Sequence, residues 1–379
     1  MNNKKTIIYF GNYDLIKRNA SGNRVFFNSK ILNEKYRVIN VFYTKDNLIE
    51  KEKLIYYEGF EIYAINYPKS KYEWIKNFKK FKSIKFKLLE KNPDIHLFIF
   101  YHSLFAFFHT AFVIFYLKVR RIKILFDVVE FDRSLNKNSL LRLLRNIDFY
   151  FSEKIFPALS NGIIVISKRM GTYFKSNKTF LLPPLNDIKP SNSNKSGKLK
   201  ILFAGTLGEV NSNRNLSKDR IDLIIRLVEN NNQILLHIYG FDEKNFLEEF
   251  SDFTIPKNVR FLGIHPHKQI LSLIKKYDFT IIYRMNTDKN NFGFPTKFSE
   301  AYSAHLPIIT TPISDVTDYI INGLNGYLLP FEFEQAKIEF SKIITKGRFK
   351  KINLLKGFKK NQFYYKSYKS KLIGFINKI

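Results

Sequence analysis

Gly293 to Leu329 reads GFPTKFSEAYSAHLPIITTPISDVTDYIINGLNGYLL, and this is the most informative segment of the sequence. A glycine-containing loop enters a helix at Pro295, where first-turn amides and the Lys297 side chain attract a diphosphate. Glu300 lies one turn deeper, where its carboxylate can accept hydrogen bonds from two hydroxyls of a ribose. The alternative is a capped helix with a surface glutamate. A strand-like run, Pro307 to Thr311, follows the helix, so the stretch indicates an α/β sheet.

Strand-like runs alternate with helix-length segments along the whole chain. The polar segment Asp187 to Lys198 separates two sets of such runs, and its Pro, Ser, Asn and Gly residues mark a linker. The pattern predicts two α/β domains facing each other across a cleft, residues 1–186 and 199–360, followed by a final helix over residues 361–379. The predicted strands are Thr6–Phe10, Arg37–Tyr43, Gly59–Ile65, His96–Tyr101, Ile122–Val129 and Gly162–Ser167, then Leu199–Ala204, Ile234–Tyr239, Asn258–Leu262, Phe279–Tyr283 and Pro307–Thr311.

The composition indicates a folded and strongly basic protein. Its 379 residues suffice for two domains with sizeable cores, and the 45% hydrophobic content is too high for a disordered tail despite a net charge of +30. The absence of cysteine excludes disulfides, thiolate metal sites and a cysteine nucleophile, and it favours the interior of a cell. The apolar run Thr6 to Phe10 is shorter than the roughly 7 to 15 residues of a secretion signal, so none is predicted.

Two segments raise the question of membrane contact. Leu97 to Leu117 has the length of a span of about 20 residues. It contains His102 and His109 and lies between strand-like runs, so we interpret it as a strand, a turn and a buried helix. Lys69 to Lys91 holds nine lysines with apolar residues at helical spacing, which predicts a basic amphipathic helix on an anionic membrane surface. The alternatives are a core-facing helix and, more weakly, nucleic-acid binding, for which no recognition module is visible.

Two further loops contain glycine, and one of them follows the first strand of each domain. Ligands of open α/β sheets bind at the ends of such strands. Gly11 to Gly22 can bring backbone amides close to an anion, although an ordinary helix-capping turn would look similar. Gly205-Thr206-Leu207-Gly208 permits close approach and leads past Arg214 to Lys218; a solvated basic loop is the alternative. Neither loop has the G-x-G-x-x-G or Walker A pattern, which argues against a dinucleotide oxidoreductase and a P-loop phosphoryl transferase.

Taken together, these segments resemble the GT-B glycosyltransferases of family 4, especially those that build bacterial surface polysaccharides. The resemblance spans nearly the whole chain and implies that the second domain binds a nucleotide sugar and the first binds the acceptor. It also implies a final helix that crosses back onto the first domain, and transfer with retention at the anomeric carbon. The supporting matches to Gly293–Leu329 are ILFAGTLG (Ile201–Gly208), Lys218-Asp219, VRFLGIHPHKQI (Val259–Ile270), DVVE (Asp127–Glu130) and GIIVIS (Gly162–Ser167).

The resemblance assigns roles to residues of the second domain. Lys218 would hold the donor diphosphate with help from Thr296 and Lys297, Glu300 would bind the ribose, and Arg284 would join the phosphate site. The other predicted donor-site residues are Gly22, Gly205, Thr206, Gly208, Arg214, Ile264, His265, Gly293, Phe294 and Pro295.

Two positions depart from the family pattern. Phe292 stands where the family often has the first Glu of E-x7-E, a residue that faces the transferred sugar, so the donor sugar stays undetermined. Arg214 lies four residues before Lys218, whereas the family's arginine usually precedes its lysine by about six, where this chain has Ser212.

Sugar transfer from a nucleotide sugar mainly requires positive charges at fixed positions. The sugar–phosphate bond breaks toward an oxocarbenium-like state while negative charge builds on the leaving diphosphate. We therefore predict Lys218 and Arg284 as the catalytic cations. Asp127, Glu130 and His102 end strands of the first domain and are predicted to line the acceptor side as base or hydroxyl ligands. A carboxylate at the end of a strand is also typical of a helix cap.

The sequence predicts no cofactor and no essential metal, since His265-Pro266-His267 is an H-x-H motif without a third ligand nearby. We predict a retaining hexosyltransferase, peripheral on the cytoplasmic face of the cell membrane. It would move a sugar to a lipid-linked glycan acceptor in surface polysaccharide, lipopolysaccharide or capsule biosynthesis. Two alternatives stay open: a non-catalytic glycan- or membrane-binding relative, which Phe292 favours, and a sugar-nucleotide epimerase, which needs more acid–base groups than the sequence offers.

Overall fold

A computed structural model describes the chain over residues 4–44, 53–66, 94–101, 107–131, 139–175, 178–190, 198–207, 218–345 and 357–379. The chain divides into two compact units, Met1–Leu185 with Tyr365–Ile379, and Asn186–Tyr364. Asn186 and residues 361–364 thus belong to the second unit, whereas we assigned them to the first. The backbone explains this placement, because the Asn186 amide donates to the Phe363 carbonyl at 3.0 Å.

The first unit contains an eight-stranded sheet in the order β3-β4-β2-β1-β5-β6-β7-β8. Every pair is parallel except β3 with β4. The strands are β1 (Thr6–Gly11), β2 (Arg37–Thr44), β3 (Leu54–Tyr57), β4 (Phe60–Asn66), β5 (Ile95–Tyr101), β6 (Lys123–Val128), β7 (Gly162–Val165) and β8 (Thr179–Leu181), and the helices are α1 (Ala20–Leu32), α2 (Phe107–Val119), α3 (Ser139–Tyr150), a π-helical turn (Phe151–Ile155), α4 (Phe156–Ala158) and α5 (Lys168–Tyr173).

The second unit contains a six-stranded sheet in the order β11-β10-β9-β12-β13-β14, and all its pairs are parallel. The predicted α/β class with two parallel-sheet domains is confirmed. The strands are β9 (Leu199–Ala204), β10 (Ile234–Tyr239), β11 (Val259–Phe261), β12 (Phe279–Ile282), β13 (Ile308–Thr310) and β14 (Gly326–Leu328), and the helices are α6 (Ile221–Val228), α7 (Glu243–Glu249), α8 (His267–Leu273), α9 (Asp288–Phe292), α10 (Thr296–Ser303) and α11 (Phe333–Thr345), with 3₁₀ turns at Ile274–Lys276 and Val316–Asp318.

Apolar runs form the central strands because both faces of a parallel sheet are covered by its crossover helices. All six residues of β1 are buried. In the second unit, one core cluster joins the inner strands to the helices that cover them; Phe203, Ile224, Ile238 and Phe279 are among its members. This rigid layer carries the loops that follow each strand.

Helix α2 is the predicted helix of the Leu97–Leu117 stretch, but it is only half buried. Ile114 and Leu117 pack inward, whereas Phe115 is 68% exposed and Val119 is 66% exposed. The prediction of a buried helix was therefore wrong in part, because a crossover helix covers the sheet with one side and leaves the other outside. Over the described ranges, no helix combines the length and the apolar character that a membrane crossing requires.

The C-terminal helix is shorter than predicted. A 3₁₀ turn occupies Tyr365–Tyr368, and α12 (Lys369–Lys378) follows it. Leu372 and Ile376 of α12 are buried, and the Tyr36 hydroxyl donates to the Asn377 side chain at 2.9 Å. These contacts place α12 in the first unit beside the end of α1.

Candidate functional site

The loops at the carboxyl ends of the second sheet converge where its strand order reverses. Strand β9 lies between β10 and β12, so the chain moves one way from β9 to β11 and the other way from β12 to β14. Gly205 follows β9, and Arg284 lies two residues beyond β12. Ligands of open α/β sheets bind at such a reversal, outside the carboxyl ends of the strands.

A buried carboxylate lies at this reversal between two cations. Asp219 Oδ1 accepts a hydrogen bond from Arg284 Nε at 2.6 Å, and its Oδ2 accepts one from Lys297 Nζ at 2.8 Å. The side chains of Asp219, Arg284 and Lys297 are 9%, 5% and 16% exposed. The three residues come from the loop before α6, the end of β12 and the first turn of α10, so the carboxylate joins three separate segments.

Electrostatics within this cluster shift two pKa values. Burial alone would raise the pKa of Asp219, but the charges of Arg284 and Lys297 outweigh it and hold that pKa well below its usual range. Burial lowers the pKa of the Lys297 amine; Asp219 opposes this shift, and the Arg284 and Lys218 charges add to it. The structure therefore brings Lys218, Arg284 and Lys297, all predicted site residues, within electrostatic reach of one another.

Arg284 is fixed through its backbone as well as its side chain. Its amide donates to Thr311 Oγ1 at 3.1 Å, and the same hydroxyl donates to the Arg284 carbonyl at 2.8 Å. Thr311 directly follows β13 and is fully buried. The guanidinium thus projects from a backbone held to the neighbouring strand, which restricts where its charge can lie.

Two glycines make room for the cluster. A Cβ on Gly205 would lie 2.6 Å from Lys297 Nζ, and one on Gly240 would lie 1.9 Å from the Gly205 carbonyl oxygen. Gly240 also has φ +113°, which favours glycine. The Lys297 amine lies 4.4 Å from the centroid of the Phe203 ring, a cation–π distance. Thr206, the next predicted residue along this loop, is exposed.

The loop before α10 is held by two hydrogen bonds from Ser314. Ser314 donates its hydroxyl to the Gly293 carbonyl and its amide to Asn291 Oδ1. Pro295 occupies the N-cap position and supplies no side-chain hydrogen bond. The first-turn amides of Thr296 and Lys297 therefore meet no side-chain cap, as an anion site at a helix N-terminus requires.

Phe294, predicted to contact the donor, turns into the core instead. Its ring packs on those of Phe298, Tyr319 and Phe363 at centroid distances of 5.6, 5.9 and 5.8 Å. It is 6% exposed. The ring anchors the loop, and only the backbone of Phe294 remains a candidate for donor contact.

Glu300 has a protein partner that the sequence did not suggest. Its Oε1 lies 2.9 Å from His267 Nε2, and the two side chains are 15% and 31% exposed. His267 begins α8, whereas Glu300 is on α10. In the sequence, His267 was considered only as part of an H-x-H motif. The carboxylate is thus oriented by the histidine before any ligand arrives.

The predicted base-site residues lie after β11. His265 Nε2 lies 2.9 Å from the Leu262 carbonyl oxygen, and its Nδ1 lies 3.2 Å from Gln269 Oε1. Its ring packs edge-on against Tyr239 at 5.3 Å. Ile264 is 81% exposed. Among the described residues, no group of three or more His, Cys, Asp or Glu side chains is arranged to hold a metal ion.

Asp127, predicted to line the acceptor side, is enclosed in the first unit. It is 0% exposed. Its Oδ1 accepts from Arg24 Nη2 at 2.6 Å, and its Oδ2 accepts from the Tyr9 hydroxyl and from Asn28 Nδ2. A carboxylate with these partners and no exposed surface does not reach an acceptor, so its role here is to bind α1 to β6. Glu130 is partly exposed and stays a candidate.

Gly22 also has a local structural role. Its amide donates to the Asn19 side chain at 2.9 Å, which caps α1. A Cβ at this position would lie 1.9 Å from the Asp14 carbonyl oxygen. The amide predicted to bind an anion is therefore already used by the helix cap. Four further predictions, His102, Gly208, Arg214 and the Lys69–Lys91 helix, lie outside the described residues.

The chain has the GT-B fold, as comparison with solved structures shows. Sucrose-phosphate synthase from Thermosynechococcus elongatus aligns with a TM-score of 0.67 at 11% identity over 99% of both chains. Anabaena HepE in complex with UDP gives 0.66 at 13% over 99% of this chain and 100% of that one. A glycosyltransferase from Rickettsia africae gives 0.63 at 13% over 99% and 98%.

The match to a sequence family concerns the second unit. Residues 186–356 match the model of the family described as Glycosyl transferases group 1. This range contains β9 to β14 and every member of the charged cluster, and it is slightly less than half of the chain. No curated protein matches the chain in sequence.

Proposed function

We propose that this protein is a glycosyltransferase that moves a sugar from a nucleotide sugar to a glycan acceptor. The observation that carries the proposal is the buried group of Arg284 and Lys297 at the uncapped start of α10, with Lys218 beside it and Glu300 one turn on. Cations and helix amides at a strand-order reversal suit a diphosphate. The family match of residues 186–356 supports the same reading.

The cluster suits the charge that develops during transfer. As the bond between the anomeric carbon and the phosphate oxygen breaks, its electron pair goes to the diphosphate. Lys218, Arg284 and Lys297 stabilise that charge from fixed positions. The acceptor oxygen bonds to the anomeric carbon on the face from which the phosphate leaves, so the anomeric configuration is retained. The proton of the acceptor hydroxyl passes to a phosphate oxygen. Glu300 binds the ribose hydroxyls, with His267 orienting its carboxylate.

The proposal extends to the acceptor and its place in the cell. We assign acceptor binding to the first unit, with Glu130 as a candidate hydroxyl ligand, and a lipid-linked glycan as the acceptor class. The net charge of +30 and the nine lysines of Lys69–Lys91 support attachment to an anionic membrane surface. These features suit surface polysaccharide assembly. No cofactor or metal is required, since side-chain cations neutralise the diphosphate.

A non-catalytic relative is the second candidate. Phe292, at the end of α9, stands where the resembled family often has a carboxylate facing the sugar. A protein that binds a nucleotide sugar without turnover would keep the charged cluster and lack this carboxylate. Release of nucleoside diphosphate from the bound donor separates the two candidates.

A thermal-shift panel of UDP-, GDP-, CMP- and dTDP-sugars tests the donor site. A ligand at 100 times its Kd stabilises the protein by about 2.7 kcal/mol. We expect one nucleotide class to raise the Tm of the wild type and of Glu248→Ala, an exposed control on α7, and to lose that effect in Glu300→Ala. Equal shifts in all three proteins would remove Glu300 from the site, and no shift with any donor at millimolar concentration would contradict the proposed function.

A further inference from the structure

The carboxylate of Asp219 has no assigned role in sugar transfer, yet it is the centre of the charged cluster. Its Oδ1 accepts a hydrogen bond from Arg284 Nε, and its Oδ2 accepts one from Lys297 Nζ and a longer one, at 3.5 Å, from Arg284 Nη2. These are two of the three cations that the proposed function directs at a diphosphate. A negative charge placed between them needs an explanation, because by itself it repels a phosphate.

Geometry supplies one explanation. Arg284 follows β12, whereas Lys297 lies in the first turn of α10. Because the two residues belong to different secondary-structure elements, the backbone alone does not fix one side chain relative to the other. Both side chains are long and lose several rotamers when fixed. The carboxylate gives each a charge-assisted partner at 2.6 and 2.8 Å and so sets the position of both. Gly205 and Phe203 enclose the Lys297 amine on its other side.

Charge supplies a second explanation for the carboxylate. Arg284 and Lys297 repel each other inside a region of low dielectric, and Lys218 adds to that repulsion. One carboxylate among three cations leaves a net charge of two, which suits the diphosphate of a nucleotide sugar, with one ionised oxygen on each phosphate. Asp219 therefore allows the cations to be held close together before the donor binds.

We propose that Asp219 is a positioning residue of the donor site, whose carboxylate fixes Arg284 and Lys297 at the places where they stabilise the leaving diphosphate. This inference rests on the proposed function. It differs from a purely structural ion pair in one respect: loss of the carboxylate lowers kcat as well as stability.

The test compares Asp219→Asn and Asp219→Glu with the control Asp222→Asn. Asp222 forms a buried pair with Arg220 at 2.7 Å, each side chain 10% exposed, three residues along the same segment. Its removal disturbs a buried ion pair of the same unit that includes none of the cluster's residues. Turnover is measured as nucleoside diphosphate released from the donor found by the thermal-shift panel, and binding is measured by calorimetry with inorganic pyrophosphate.

For Asp219→Asn we expect kcat to fall about 100-fold, the scale of an ångström-sized misplacement, while KM changes less than about threefold. Attraction between separated charges depends weakly on position, whereas stabilisation of the leaving oxygen depends strongly on it. The alkaline limb of the pH profile should also move to lower pH. Among the described residues, Asp219 raises the pKa of Lys297 whereas Arg284 and Lys218 lower it, so without the carboxylate the amine loses its proton earlier.

Asp219→Glu separates charge from position. It keeps the negative charge, so the alkaline limb should stay near that of the wild type, but it moves both cations, so kcat should stay at least about tenfold low. Asp222→Asn should leave kcat and the alkaline limb unchanged, whatever its effect on Tm. If Asp219→Asn does not fold, the Glu variant decides alone, and an unaltered kcat in it overturns the proposal.

The outcomes distinguish this proposal from the proposed function. A wild type that binds pyrophosphate and turns over, with an Asp219→Asn variant that keeps its kcat and its pH profile, overturns only the positioning role. Equal losses in Asp219→Asn and Asp222→Asn reduce Asp219 to a structural ion pair. A wild type that neither binds pyrophosphate nor turns over contradicts both.

Discussion

Lys297 shows how much of the site is set by single residues. Its amine lies against the Phe203 ring on one side and the Asp219 carboxylate on another, and a Cβ on Gly205 would lie within 2.6 Å of it. Burial lowers the pKa of the amine, and the Asp219 carboxylate offsets part of this shift. The position of the Lys297 charge therefore depends on Phe203, Asp219 and Gly205.

Gly205→Ala tests this enclosure. The added methyl would lie 2.6 Å from Lys297 Nζ, so the amine must shift from its present position. We expect pyrophosphate to bind about tenfold more weakly, a change of about 1.4 kcal/mol. Gly374→Ala in α12 is the control, since no atom lies within 4 Å of its Cβ. It should leave binding unchanged and stabilise the fold by about 0.5 to 1 kcal/mol, because alanine favours a helix. Equal binding by both variants would contradict the crowding.

Asp219 also predicts how stability depends on pH. Its folded-state pKa lies below the unfolded value of about 3.9, so it contributes stability above that pH and loses it as pH falls toward the folded pKa. In urea unfolding, the wild type should exceed Asp219→Asn in free energy of unfolding at pH 6, and the difference should shrink below about pH 4. A difference that is the same at pH 6 and pH 3 would show that the carboxylate is not stabilised in its charged form.

At this scale, the sequence predicts the residues that bear charge and misses the partners that position them. Lys218, Arg284, Lys297 and Glu300 stand in recognisable positions along the chain. Asp219 is 65 and 78 residues from its two partners, and His267 is 33 from Glu300. Such pairs form only when the sheet brings the loops together, so no local pattern contains them.

Among the elements, α1 and β6 are joined by the buried pair of Arg24 and Asp127. Arg24 Nη1 also donates to the Leu182 carbonyl at 2.8 Å, which fixes the segment after β8 to the same helix. The sequence pattern placed Asp127 correctly at the end of β6. It could not show that α1 directs an arginine at the carboxylate, and this is why the predicted catalytic role does not fit the structure.

Asp127→Asn should therefore lower stability. Removal of one partner of a buried ion pair costs about 3 to 5 kcal/mol, because the other charge is left buried and uncompensated. Glu58→Gln is the control, since its pair with Arg18 is more exposed, with side chains 38% and 19% exposed, and such pairs contribute about 1 kcal/mol or less. Urea unfolding measures both. An Asp127→Asn variant with wild-type stability and no turnover would contradict this structural role and support the predicted role of Asp127 at the acceptor site.

Element prediction succeeded where the apolar runs were long. The inner strands of both sheets occur within a few residues of their predicted bounds. The three missed strands, β3, β8 and β14, have four, three and three residues, too few for periodicity to show. The final helix was predicted too long because aromatic residues of Tyr365–Tyr368 continue the apolar spacing, although the backbone there forms a 3₁₀ turn.

The whole chain carries a net charge of +30, and the proposed membrane attachment depends on it. We expect the protein to sediment with anionic vesicles near 0.1 M salt and to be released near 1 M, where the screening length falls from about 10 to about 3 Å. Replacing Lys79, Lys80, Lys82 and Lys85 by Gln should weaken capture, each lysine contributing about 1 kcal/mol near the surface.

The matched control replaces four lysines of the second unit, Lys268, Lys275, Lys276 and Lys342, all exposed. It removes the same charge from a different part of the sequence. Equal loss of capture in the two variants would show that net charge, and not the Lys69–Lys91 segment, directs the protein to lipid. Capture that neither variant changes would contradict attachment through the Lys69–Lys91 segment.

At the scale of the molecule, sequence patterning predicted two parallel α/β domains, and the GT-B fold follows the same division. It placed the boundary a residue too late and gave residues 361–364 to the first domain, since the hydrogen bond between Asn186 and Phe363 joins chain segments far apart. The proposed function depends on this fold together with the charged cluster at the β9–β12 reversal.

The most direct test of that proposal is turnover of the donor by wild type and Lys297→Met. Nucleoside diphosphate release is measured with the nucleotide sugar that the thermal-shift panel selects. The account predicts release by the wild type and a loss of about 100-fold or more in Lys297→Met, the scale of removing one donor to a developing oxyanion. Wild-type rates in Lys297→Met, or no release by a wild type that binds the donor, would contradict it.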